Sequence, residues 1–301
     1  MIPLTRPVEY DKLSAKVRKL YPTPQALADR PDSITLLKYD GVCGIGVFEP
    51  GLRPRMVSRT GEDYSVSCGL LLEDVQKGLR ELRLQDKTVF TMGEVWRPPG
   101  TPGCDQPTIS GDFRQQRATV TDFQYRLFDM VVLCGSPVDY YLRRRMYQTL
   151  AHHCQLAYQA DQAHRLGRDP VEFARTVGDG YDGIVIWDRA ALPMSDAKAT
   201  GGQAVKFKPN ITVDVRCNGG IQGEGKHAGR LGALTFTYQG RAGSVGTGFS
   251  DQQRIDFWDM LRLGIGVAGE VIEIEAMGVT PDGSLREPRF KGIRFDKTAA
   301  D

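Results

Sequence analysis

The feature that most restricts what this chain can fold into is a change of texture after Asn210. Before that point, apolar segments of strand length alternate with longer helical stretches. After it, short strands are separated by glycine turns and interrupted by one helix. One layered core does not change its construction at a single point. The pattern therefore predicts two domains, residues 1–210 and 211–301. A 301-residue chain with 41% apolar residues supplies enough core for both.

In the first part, Ile34–Asp40, Val42–Phe48, Thr88–Trp96, Gln124–Leu133, Gly183–Trp187 and Gln203–Lys208 read as strands. Leu70–Leu84 reads as a helix with Leu71, Val75, Leu79 and Leu82 along one face. Tyr140–Ala160 reads as one long helix carrying Arg143-Arg144-Arg145. The plain reading of that run is a solvated face, and a DNA-backbone contact is the alternative. Pro99–Gly111 is rich in proline and glycine and reads as an exposed loop. In the second part, Ile211–Cys217, Leu231–Tyr238, Ala242–Thr247, Val271–Ala276 and Phe290–Phe295 are short strands. Ser250 and Gln253 form a capping box before Ile255–Leu263. Five strands and one helix suggest a small barrel of the OB type, and the whole chain is α+β.

Composition narrows the surroundings. The net charge of +2 neither demands nor excludes nucleic acid. No run approaches the roughly 18 apolar residues of a membrane span, and the N-terminus lacks a signal-peptide core. The expectation is a soluble, cytoplasmic protein without a membrane partner. Six scattered cysteines with no CxxC pair predict free thiols rather than a zinc ribbon. His152-His153-Cys154 point different ways on a helix and do not make a shared metal site.

The chemistry gathers in an ordered series. Lys38-Tyr39-Asp40-Gly41 places a lysine at the end of an apolar strand before a glycine turn. A lysine that attacks a phosphate must shed its proton, so its pKa should be lowered by burial, nearby cations or a metal. Ser58-Arg59-Thr60-Gly61 supplies an arginine suited to phosphate. Glu94 follows Gly93 inside a strand and needs a partner there, a metal or a ribose hydroxyl. Phe128-Asp129 offers an aromatic for stacking on a base, and Asp182 opens the strand Asp182-Gly183-Ile184-Val185-Ile186. Lys206-Phe207-Lys208 puts two lysines on one strand face.

This order, KxDG, SRxG, GE, FD, DGIVI and KFK over residues 38–208, resembles the superfamily of ATP-dependent DNA ligases, RNA ligases and mRNA capping enzymes. Gly225-Lys226-His227-Ala228-Gly229-Arg230-Leu231-Gly232, Arg286-Glu287-Pro288-Arg289-Phe290 and Arg294-Phe295-Asp296-Lys297 are similar to the DNA-ligase form of the C-terminal domain. The resemblance implies a nucleotidyltransferase (ATP-grasp-like ligase) adenylation domain followed by an OB-fold β-barrel. It implies a small, monomeric, phage- or virus-like ligase that seals 3′-hydroxyl/5′-phosphate nicks in duplex DNA.

By the same resemblance, Lys38 takes AMP from ATP, and Asp40 supports the reacting ends. Arg59 faces the ribose and later the 5′-phosphate. Glu94 contacts the ribose or a metal, and Phe128 stacks on adenine. Asp182 helps bind the divalent metal, Mg²⁺ or Mn²⁺. Lys206 and Lys208 hold the α-phosphate, and Arg294 and Lys297 touch the pyrophosphate. DNA would be held mainly through phosphates, with a steep salt dependence.

Three positions depart from the family pattern. Cys43 stands where the first motif usually carries arginine, Asp182 where the fourth usually carries glutamate, and Leu36 where a polar side chain often reads adenine. A thiol beside the nucleophile suggests sensitivity to oxidation. The alternatives are an RNA ligase, a GTP-using capping enzyme and a non-catalytic nucleic-acid binder. An NAD-dependent ligase fits poorly, because it would bring an extra N-terminal domain and a cysteine-rich zinc module.

Overall fold

A computed structural model describes residues 2–104, 106–115, 123–163, 169–178, 180–195, 197–280 and 282–300. The chain divides into two compact units, Met1–Lys208 and Pro209–Asp301.

The strands of the first unit are β1 (Thr5–Arg6), β2 (Val8–Glu9), β3 (Ser33–Tyr39), β4 (Val42–Phe48), β5 (Arg55–Ser58), β6 (Thr88–Trp96), β7 (Gln124–Leu133), β8 (Ala157–Gln159), β9 (Tyr181–Asp188), β10 (Ala197–Lys198) and β11 (Ala204–Phe207). One sheet runs β2-β11-β9-β3 and a second runs β5-β4-β6-β7-β8, with β1 and β10 as a separate parallel pair. The helices are α1 (Ala15–Leu20), α2 (Pro24–Ala28), α3 (Gly69–Glu81), α4 (Gln106–Arg114), α5 (Tyr140–His152) and α6 (Pro170–Ala174).

The Asp40-Gly41 turn carries the chain from β3 in the first sheet to β4 in the second. A Cβ on Gly41 would lie 2.3 Å from the Val95 carbonyl oxygen, so the turn has room only for glycine. The β3–β9 pairing slips between Leu37 and Tyr39, which leaves Lys38 on a bulge. A bulge re-aims its side chain out of the regular alternation.

Three sequence expectations are corrected in this unit. The long helix ends at His152, and Ala157–Gln159 is a strand. The cause is Asp74 of α3, whose carboxylate accepts the backbone N–H groups of Gln155, Leu156 and Ala157. That outside acceptor satisfies donors a helix would otherwise have bonded internally. Part of the expected loop at 99–111 is α4, while Asp105 within it lies outside the described residues. Ile109 and Phe113 bury themselves in the core, with Phe113 stacked between Tyr64 and Phe123 at 5.1 and 5.0 Å. Burial of two large side chains outweighs the poor helix propensity of the surrounding Pro and Gly.

The arginine run is also not a uniform solvated face. Arg143 is fully buried and grips Asp129 with Nε–Oδ1 at 2.7 Å and Nη2–Oδ2 at 3.1 Å. Its Nη1 donates to the Val138 and Ala191 carbonyls. Every charge is thus answered, as a buried ion requires. Arg145 is exposed and Arg144 is half-buried.

The second unit holds β12 (Ile211–Gln222), β13 (Leu231–Tyr238), β14 (Arg241–Val245), α7 (Asp251–Leu263), β15 (Val271–Ala276) and β16 (Arg289–Ile293). Its antiparallel sheet runs β14-β13-β12-β15-β16 around a core that includes Val215, Leu234, Phe236, Ile272 and Phe290. Among the described residues β14 and β16 do not pair as strands, and the sheet has two edges. A backbone hydrogen bond from Phe290 N–H to Thr247 O, 2.9 Å, joins the opening of β16 to the segment after β14. The Ser250–Gln253 capping box is present at the start of α7, and Gly264 ends it in the left-handed region. No helix among the described residues is long and apolar enough to cross a membrane.

Candidate active site

Strands from both sheets of the first unit line one cavity of about 180 Å³. A single water needs only about 10–15 Å³, so this is room for a ring system rather than a lone ion. Leu36 and Lys38 enter from β3, Cys43 from β4, Glu94 from β6, Phe128 from β7 and Trp187 from β9. Arg59, just after β5, and the N-terminal segment Leu4–Pro7 complete the wall.

The cavity has an aromatic side. Trp187 stacks on Tyr140 at 4.3 Å with planes 9° apart and lies 6.5 Å from the Phe128 ring. Tyr140 donates its hydroxyl hydrogen to the Phe128 carbonyl at 2.7 Å, which fixes the strand that carries Phe128. A flat heterocycle is the ligand such a wall accepts.

The polar side is a cluster of opposite charges. Lys38 Nζ lies 2.5 Å from Asp182 Oδ2, and Lys208 Nζ lies 3.3 Å from the same oxygen. Gly183 follows Asp182 at φ +93°, where a Cβ would collide with the Phe207 carbonyl 1.9 Å away. That close approach is what sets Asp182 beside Lys208. Lys206 faces Glu9 across β11 and β2 at 3.8 Å. Burial, with Lys208 and Lys38 adding to it, lowers the Lys206 ammonium below its ordinary pKa.

Lys38 behaves differently from expectation. Burial lowers its pKa, but Asp182, Glu94 and Asp40 together overcome that, and the amine is held above its ordinary range. The carboxylates that keep the ammonium charged must therefore be neutralised before it can attack. Glu94 itself is pushed up to about 7 by burial; Lys38 opposes this, and the negative Asp40 and Asp182 add to it. Crowded carboxylates of this kind fit a hard divalent cation. Mg²⁺ takes one or two protein carboxylates and fills its shell with phosphate and water. Glu94 and Asp182 offer that set, and no group of three or more His, Cys, Asp or Glu among the described residues is arranged to hold a metal by itself.

Cys43 sits opposite Glu94 on the β4–β6 ladder. Burial, aided by Glu94, pushes its thiol up to about 12. It is not a thiolate near neutral pH, so the expected oxidation sensitivity is not supported by its surroundings.

Lys38, Arg59, Glu94 and Phe128 thus share one cavity, with Asp40, Asp182 and Lys206 coupled to Lys38 by charge or hydrogen bond and Lys208 bonded to Asp182. Arg294 and Lys297 belong to the second unit. Arg294 bonds Asp214 at 3.2 Å, Glu273 at 3.2 Å and Asp296 at 2.7 Å, and Lys297 also bonds Asp214. Sequence reasoning missed Trp187, Tyr140 and the Leu4–Pro7 wall. Trp187 shares its strand face with Val185, a period-two signal that was available. The N-terminal wall depends on β1 pairing with β10, a long-range contact with no local signal.

The first unit shares its fold with the corresponding part of a solved DNA ligase, and the second matches an OB-like domain. Residues 222–294 match the DNA ligase OB-like domain family. The multifunctional non-homologous end joining protein LigD of Mycolicibacterium smegmatis is 28% identical over 214 residues, 61% of this chain and 27% of that protein. A DNA ligase of Thermococcus onnurineus is 24% identical over 292 residues, 87% of this chain and 51% of the relative. The chain therefore spans about half or less of the length of these relatives. A solved Lig E DNA ligase structure superposes with TM-score 0.66 at 15% identity, covering 98% of this chain and 100% of the other, and shares the fold.

Proposed function

We propose that this chain is an ATP-dependent DNA ligase that seals 3′-hydroxyl/5′-phosphate nicks in duplex DNA through a lysyl-AMP and then a DNA-adenylate. The carrying observation is the position of Lys38, which lines the apolar cavity and also bonds the carboxylate shared with Lys208. A base held against Phe128 and Trp187 would present its α-phosphate to Lys38. The amine would attack phosphorus, lose its proton and displace pyrophosphate. Lys206 and Lys208 would offset charge on the phosphate, and Arg59 would hold the ribose and later the 5′-phosphate. Glu94 and Asp182 would hold Mg²⁺ or Mn²⁺, which when bound screens the phosphates and the carboxylates facing Lys38. Asp40 supports the site from the turn after Lys38. Arg294 and Lys297 are proposed to contact pyrophosphate in the first step.

The test is sealing of a nicked duplex by wild type and Lys38→Ala with ATP or GTP. Sealing with ATP that is lost in Lys38→Ala supports the reading. Covalent labelling from GTP alone, or equal sealing by the variant, contradicts it.

A further inference from the structure

The outward face of α5 and the edge strand β8 form a groove that the proposed chemistry does not use. Arg144, Arg145, Gln148, His152 and Gln159 line it, and it continues to Arg126 on β7. Among the described residues, Arg144 and Arg145 meet no carboxylate. Arg144 donates to the side-chain oxygens of Gln148 at 3.5 Å and Gln162 at 2.8 Å, and its buried Nε–H has no partner. Arg145 bonds the hydroxyl of Tyr141, and the Arg189 guanidinium lies over the Tyr141 ring at 3.8 Å.

The carboxylate along this path is Asp161, at the Arg126 end. It is engaged by Arg126 at 3.8 Å and by the Tyr39 hydroxyl at 2.7 Å. Arg126 also lies 5.0 Å from the ring of Tyr158, an exposed tyrosine at the rim. A groove of guanidinium and amide donors with an aromatic rim has the chemistry of a phosphodiester site.

Its position ties it to the reaction. Gln159 lines the groove and the next residue, Ala160, lies on the cavity of Lys38. Gln162, held by Arg144, bridges to Leu36, two residues before the nucleophile. The groove and the cavity of Lys38 therefore adjoin along Gln159–Gln162.

We propose that this face binds the phosphodiester backbone of the duplex flanking the nick, with Arg144 and Arg145 as phosphate contacts. The proposal rests on the ligase reading. The experiment measures the affinity of the full chain for a nicked duplex oligonucleotide over a range of salt. The variants are Arg144→Gln/Arg145→Gln, Arg144→Lys/Arg145→Lys and Arg145→Gln alone.

The neutral double variant should bind about tenfold more weakly at low salt, and its log–log salt slope should fall by about two. The single variant should lose about one, and the lysine pair should keep the wild-type slope. AMP uptake should be unchanged in all three, which separates this surface from the cavity. If uptake falls in the double variant, the single exposed position decides. Wild-type affinity and slope in both neutral variants would overturn the proposal. Failure of wild type to take up AMP would instead sink the ligase reading.

Discussion

The Lys38 ammonium and the Asp182 carboxylate, 144 residues apart in sequence, meet at 2.5 Å. The pair holds the amine charged and so holds the nucleophile back. Asp182→Asn removes the partner that most raises the amine, so that only Glu94 and Asp40 still oppose the lowering by burial. Without metal or nucleotide, Lys38 in that variant should react with an amine-acylating reagent about tenfold faster at pH 8. Peptide mapping of the modified lysine reads this, and an unchanged rate would show that Asp182 does not restrain it.

Glu94 gives a pH prediction. Its folded pKa is raised to about 7 from the ordinary 4.5, so the folded chain holds that proton more tightly than the unfolded one. Stability from this group is complete below the ordinary carboxylate range and is lost as pH rises through about 7. Glu94→Gln should therefore raise the melting temperature at pH 8 relative to wild type and change it least near pH 5. Equal effects at both pH values would refute the assignment.

Arg143 and Asp129 form a buried pair behind the aromatic wall. Arg143→Met leaves Asp129 charged and alone, at a cost of about 3–5 kcal/mol. Adding Asp129→Leu should recover most of that loss, because a matched apolar pair leaves no stranded charge. Urea unfolding of the single and double variants measures both. A double variant no more stable than the single would show that the pair is not coupled.

The sequence made Lys38, Asp40, Glu94 and Asp182 individually legible because each sits in a short local motif at or within a strand. The strands Val42–Phe48, Thr88–Trp96 and Gln124–Leu133 follow directly from apolar pattern and β-branched content. The errors came from distant contacts. Asp74 ends the helix at His152, and Asp129 turns Arg143 inward, and neither partner is near in sequence. The raised pKa of Lys38 in the absence of metal and nucleotide was not legible for a related reason. Burial was foreseeable from the strand, but the number of carboxylates converging from β6 and β9 was not.

Phe128 tests the aromatic wall. Phe128→Leu keeps apolar volume but loses the ring face, and should raise the ATP concentration for half-maximal adenylylation about tenfold. The rate at saturating ATP should change little, since Lys38 and its neighbours are untouched. A fall in the saturated rate with unchanged half-saturation would place Phe128 in the chemistry rather than in base binding.

The most direct measurement is the intact mass of the protein after incubation with ATP and Mg²⁺. The account predicts a single added AMP on wild type, mapped to Lys38 and absent from Lys38→Ala. An unmodified wild-type mass, or the same adduct on Lys38→Ala, would contradict it.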